Sequence, residues 1–142
     1  MGDAIRTITI QGYKSIRSLE SFNLGNLTVL IGANGAGKSN FVSFFSLIRS
    51  MVEENLAPTV ATRGGADAFL FLGPKVTNQV VGKLYFGMNG YEFSLAPTTD
   101  NGFVITEEVA YFKGDQFPES RTLLGRGERE SRLKRRKRLS QS

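Results

Sequence analysis

Cysteine, histidine and tryptophan are all missing from this chain of 142 residues. Without cysteine it has no disulfides and no thiolate ligands. Without histidine it has no imidazole ligand and no imidazole base. Catalysis or metal binding built on either side chain is therefore excluded. No apolar run approaches the ~18 residues that read as a membrane span. The region after Met1 lacks the apolar core of a signal peptide. A cytoplasmic protein is the expectation. With 40% hydrophobic residues the chain has enough apolar material for one domain with a real core.

Charge is unevenly placed. The total of 18 basic and 13 acidic residues gives +5. Residues 126–138 alone hold eight basic side chains, among them Arg132, Lys134, Arg135, Arg136, Lys137 and Arg138, against Glu128 and Glu130. That segment is +6 and the remainder −1. Any argument for nucleic-acid binding from basicity rests on the tail alone.

What is present, and specific, is the run Gly32-Ala33-Asn34-Gly35-Ala36-Gly37-Lys38-Ser39. It matches GxxxxGK[ST], the phosphate-binding P-loop. The apolar run Leu27 to Ile31 leads in as a buried strand would, and a helical pattern leads out. Glycines let the backbone curl so that successive N–H groups point at one phosphate. The start of the following helix adds partial positive charge. Lys38 supplies a point charge for the β- and γ-phosphates, and the Ser39 hydroxyl is placed to ligate Mg²⁺.

Along the chain, Ile5 to Ile10 reads as a first strand, with Thr7 and Thr9 alternating with Ile8 and Ile10. Gly12 and Tyr13-Lys14-Ser15 follow, and a short apolar stretch from Leu19 to Leu24 closes the entry segment. The helix after the P-loop is expected over Lys38 to Glu54, with Phe41, Phe44, Phe45, Ile48, Met51 and Val52 as its core-facing stripe. Pro58 and Gly64-Gly65 mark a loop. Val80 to Met88 and Tyr91 to Leu95 read as a hairpin with Asn89-Gly90 at its tip. That register pairs Met88 with Tyr91, Phe86 with Phe93 and Leu84 with Leu95, all on one face. Asp100-Asn101-Gly102 makes a turn, and Phe103 to Phe112 a further strand. From Gln116 apolar residues thin out, which places the edge of the folded unit near Asp115.

Taken together, these features resemble the N-terminal lobe of the RecF/SMC-like ATPases, within the ABC-type P-loop class and its AAA-annotated bacterial members akin to RecF and OLD-type proteins. The resemblance spans about residues 4–115 and rests on Tyr13-Lys14-Ser15 after the first strand, on Gly32 to Asn40, and on the antiparallel hairpins that follow. It implies an α/β fold: a P-loop NTPase N-terminal lobe with a mixed or antiparallel sheet around one main helix, over residues 1–115. A disordered basic tail would follow over 116–142. It also implies ATP with Mg²⁺. Gly32, Gly35, Ala36 and Gly37 would form the cradle, Asn34 would shape the loop, Asn40 would sit in the first helical turn, and Tyr13 and Lys14 would touch the nucleotide. Read from the residues alone, Tyr13 fits equally as a packed aromatic at a strand end, and Lys14 as a solvated lysine.

The sequence departs from the family in lacking a Walker B motif, an apolar strand ending in Asp-Glu. Phe103-Val104-Ile105-Thr106-Glu107-Glu108 comes nearest but has no Asp. Leu139-Ser140-Gln141-Ser142 shares two letters with a signature motif and is read as chance. A truncated or frameshifted gene is the leading expectation, and a split ATPase completed by a second chain the next. On this reading the chain binds Mg-ATP and hydrolysis needs a missing C-terminal lobe, in DNA repair, chromosome maintenance or phage defence, with DNA and a second chain or copy completing the site as candidate partners. A reading from another class is a basic-tailed DNA-binding or interaction module with a relic P-loop. A small-molecule kinase is disfavoured, because such enzymes use parallel βαβ units.

Overall fold

In a computed structural model of the chain, the structure describes residues 5–24, 35–86, 89–112, 120–125 and 127–131. Six strands form one sheet in the order β2-β1-β3-β4-β5-β6, every neighbouring pair antiparallel. They are β1 (Thr7–Tyr13), β2 (Ile16–Asn23), β3 (Val80–Phe86), β4 (Asn89–Pro97), β5 (Phe103–Phe112) and β6 (Ser120–Gly125). Helix α1 (Gly35–Val52), the short helix α2 (Leu56–Thr62) and a 3₁₀ turn at Ala66–Ala68 complete the described elements. The fold is thus mixed α/β, as the sequence implies.

One core joins sheet and helices. Ile8 and Ile10 of β1, Leu84 of β3, Phe93 and Leu95 of β4 and Ile105 of β5 are buried against Phe44, Leu47 and Met51 of α1. Phe44 stacks on Phe93 with ring centres 6.0 Å apart and planes at 17°. Tyr91 and Phe93 are core residues, as expected of the hairpin aromatics. The helical stripe differs at its margin: Leu47 is buried, while Val52 is 38% exposed. The centre of the buried face lies between Phe44 and Leu47, which leaves Val52 on its edge.

Several boundaries differ from the sequence reading. β1 runs on to Tyr13, and the segment after it is a full strand, β2, rather than a short apolar stretch. Its burial alternates poorly because a bulge interrupts the β1–β2 ladder and Ser21 sits at a φ of 47°. The helix begins at Gly35, not Lys38. A second helix, α2, occupies what reads as loop; its Pro58 lies in the first turn, where a missing N–H costs nothing. The expected strand Leu27 to Ile31 lies outside the described residues.

The hairpin register also needs correction. Phe86 pairs with Asn89, Leu84 with Tyr91, Gly82 with Phe93 and Val80 with Leu95. Asn89-Gly90 is therefore inside β4 rather than at the tip, and residues 87 and 88, Met88 included, lie outside the described residues. The shift is even, so the same side chains still face the core. Close approach at two glycines explains the choice. A Cβ on Gly82 would stand 2.4 Å from the Phe93 ring and 2.8 Å from Phe44, and one on Gly90 2.7 Å from Tyr85. Each glycine gives its space to an aromatic ring, as paired glycines and aromatics do in sheets.

The folded unit extends beyond Asp115. β6 pairs along β5, Glu128 bridges Ile105, and Ser131 is buried. Without β6, β5 would present an open ladder edge. The tail from residue 132 onward lies outside the described residues.

Candidate functional site

The P-loop motif reaches the described structure at Gly35, and Gly35, Ala36, Gly37 and Lys38 form the opening turn of α1. The first N–H groups of a helix have no partner within it, and no acidic residue stands in this first turn to neutralise its partial charge. Gly32 and Asn34 lie outside the described residues. Ser39 follows one step into the helix with its side chain exposed, while Asn40 is half-buried.

Opposite this end of α1 stands the β1–β2 hairpin. Tyr13 pairs with Ile16, so Lys14-Ser15 is a two-residue turn. Lys14 takes a φ of 50°, a region that favours glycine. Tertiary contacts hold it there. Its N–H donates to the Phe69 carbonyl at 2.8 Å, and Phe71 N–H donates to Gly12 at 3.0 Å. Its ammonium donates to Ser43 Oγ at 2.8 Å and lies 5.2 Å from the Phe69 ring centre and 5.6 Å from that of Tyr13. Asn40 Nδ2 donates to Ser15 Oγ at 2.5 Å. The hairpin turn and the second and third turns of α1 are therefore fastened to each other.

Tyr13 belongs to the core. Its side chain is 0% exposed, packed edge-on to Phe44 at 5.1 Å, with its hydroxyl 2.6 Å from Ser43 Oγ. Burial pushes the phenol up to about 12. In this structure Tyr13 is a packed strand-end aromatic. Lys14 is half-buried rather than solvated. Its ammonium is held below the usual lysine value, first by burial and then by the positive charge of Arg63. Arg63, at the C-terminal end of α2, donates to Ser46 Oγ at 3.2 Å.

The nearest approach to a Walker B carboxylate serves another purpose. Glu108 is buried in β5, where its carboxylate accepts from the hydroxyls of Tyr91 and Ser131. The Tyr91 phenol is pushed up by burial and by that charge. Strands β3 and β4 separate β5 from β1, so Glu108 ties β4, β5 and the 127–131 segment together. No cluster of three metal-ligating side chains occurs among the described residues. No helix among them is long and apolar enough to cross a membrane.

Sequence reasoning missed Ser43 and Arg63. The signal for Ser43 was available: it follows Ser39 by four residues and so shares its helix face. Arg63 carried none, because its place depends on α2.

Residues 27–140 match the family described as "AAA domain, putative AbiEii toxin, Type IV TA system". The chain belongs to this AAA family. The match begins at the strand expected before the P-loop and runs past β6, so the AAA domain includes the segment beyond Asp115. Over 53 residues the chain is 47% identical to "Urease accessory protein 2" of Cryptococcus neoformans var. grubii, covering 35% of this chain and 4% of that protein. The chain thus spans a small fraction of that relative's length. No solved structure matches the chain.

Proposed function

We propose that the chain is the Mg-ATP-binding lobe of a RecF/SMC-like ATPase. The observation that carries this reading is the junction of the P-loop motif with α1. A glycine-rich first turn without acidic side chains leads to Lys38 and Ser39, and the Asn40–Ser15 and Lys14–Ser43 bonds brace that end of the helix from the side. The donor set suits a metal-bound polyphosphate: backbone N–H groups and Lys38 for phosphate oxygens, and the Ser39 hydroxyl for Mg²⁺. Bound Mg-ATP would bring the phosphoanhydride that such ATPases cleave. Asn34 and Gly32 would complete the loop, and Lys14 would add a second cation.

Hydrolysis is assigned to a further lobe that carries the Walker B carboxylate, because no such motif occurs among these residues. A cytoplasmic role in phage defence is favoured over repair or chromosome maintenance, since the family's description names a toxin of a toxin–antitoxin system. DNA is the partner that the charge of residues 126–138 suits.

Calorimetric titration of the full chain with Mg-ATP, beside Lys38→Ala, tests this reading. Saturable binding that the variant loses supports it. Equal binding by both, or binding by neither, overturns it.

A further inference from the structure

Two side chains of the β1–β2 hairpin converge on one hydroxyl of α1. Tyr13 Oη lies 2.6 Å from Ser43 Oγ, and Lys14 Nζ lies 2.8 Å from the same atom. An inventory of protons decides the directions. The ammonium can only donate. Tyr13 is fully buried, and a buried O–H without an acceptor is costly, so its proton also goes to Ser43. Ser43 therefore accepts twice, using both lone pairs.

Helical side chains lean toward the N-terminus of their helix. The Ser43 hydroxyl accordingly lies over the turn that carries Ser39 and Asn40. The Lys14 ammonium is fixed to it, two turns along from the P-loop residues that open the helix. No carboxylate pairs with that ammonium among the described residues. Its backbone is held at an unfavourable φ by the bond to Phe69, and its charge rests over two aromatic rings. A cation anchored so firmly, with no carboxylate among the described residues paired to it, is placed for a ligand's negative charge.

We propose that Ser43 is a positioning residue for nucleotide binding, aiming the Lys14 ammonium at a polyphosphate bound at the N-terminus of α1. The proposal rests on the Mg-ATP reading above and adds to it a residue outside the P-loop motif. Its prior placement of the ammonium spares the ligand the cost of ordering a lysine side chain.

The test is Mg-ATP titration of the full chain carrying Ser43→Ala, Ser43→Thr, Lys14→Met, the Ser43→Ala/Lys14→Met pair, and the Tyr13→Phe/Ser43→Ala pair, with thermal unfolding of each. Ser43→Ala and Lys14→Met are each expected to weaken binding about tenfold, and the pair no further than either alone. Ser43→Thr, which keeps the hydroxyl, should restore affinity to within about twofold. Tyr13→Phe/Ser43→Ala removes the buried hydroxyl's demand for an acceptor, so it should regain stability while still binding weakly. Wild-type affinity in Ser43→Ala, an additive loss of about a hundredfold in the Lys14 pair, or affinity recovered together with stability in the Tyr13 pair would each overturn the proposal. If the wild-type chain binds no better than Lys38→Ala, the Mg-ATP reading itself fails and takes the proposal with it.

Discussion

Glu130 Oε1 accepts a 2.7 Å hydrogen bond from the N–H of Leu56, 74 residues earlier in the chain. Its Oε2 accepts from Ala57 at 3.1 Å. A carboxylate so placed caps the start of α2, where Asn55 makes no side-chain cap of its own. Glu130→Ala should therefore destabilise the chain by about 1–2 kcal/mol in urea unfolding. Hydrogen exchange should rise first in residues 56–62. A uniform rise across the sheet instead would mean that Glu130 acts on the whole fold rather than on α2.

Gly82 predicts a steric cost. Its added Cβ would meet Phe93 and Phe44, rings that are stacked on each other and enclosed by the core. Gly82→Ala should cost about 1–3 kcal/mol, more than replacement of a strand glycine by alanine normally does. Chemical denaturation measures it; an unchanged or raised midpoint would show that the two rings can separate freely.

The phenol of Tyr13 gives a pH dependence with a definite sign. Its value is about 12 in the folded chain against 10.0 as a reference. Between these values the unfolded chain has lost a proton that the folded chain keeps, so stability falls as pH rises. The contribution is whole below pH 10, is lost through pH 12, and amounts to about 3 kcal/mol. Tyr91 is shifted in the same direction and adds to the slope. Urea midpoints measured from pH 9 to 11 should decline less steeply in Tyr13→Phe than in the wild type.

Glu108 holds two hydroxyls at once, those of Tyr91 and Ser131. Glu108→Ala removes their shared acceptor and should cost at least about 2 kcal/mol. Adding Tyr91→Phe should recover part of that loss, since one of the stranded donors is then gone. A double variant less stable than Glu108→Ala would contradict this account.

What the sequence made legible was what long, regular patterns encode. β5 has the limits expected of it, because the Asp100-Asn101-Gly102 turn marks its start, and α1 is displaced by only a few residues, because eighteen amphipathic residues outweigh local noise. The hairpin's inward face was readable and its register was not. Parity is fixed by which residues are apolar, whereas pairing was decided by the Phe93 and Tyr85 rings lying over Gly82 and Gly90. α2 was hidden because seven residues carry little periodicity and its cap comes from Glu130. β6 was hidden by composition, since a strand added at an edge needs few apolar residues. At the site, Tyr13 was ambiguous from sequence, because an aromatic at a strand end serves a core and a ligand equally well.

The order of the strands has a consequence for how the chain reaches this state. β3, β4 and β5 join through neighbouring segments, and their pairing closes only short loops. β1, by contrast, finds its place beside β3 only after the entire excursion from Lys14 to Gln79, with α1 and α2 inside it, has been gathered in. Chain entropy makes such a closure late. The three-strand meander is expected to form early, and pulse-labelled exchange should find the β1 amides protected last. A newly made chain would then acquire its brace on α1 at the final stage, with Lys14 and Ser43 meeting only when the rest of the sheet already stands.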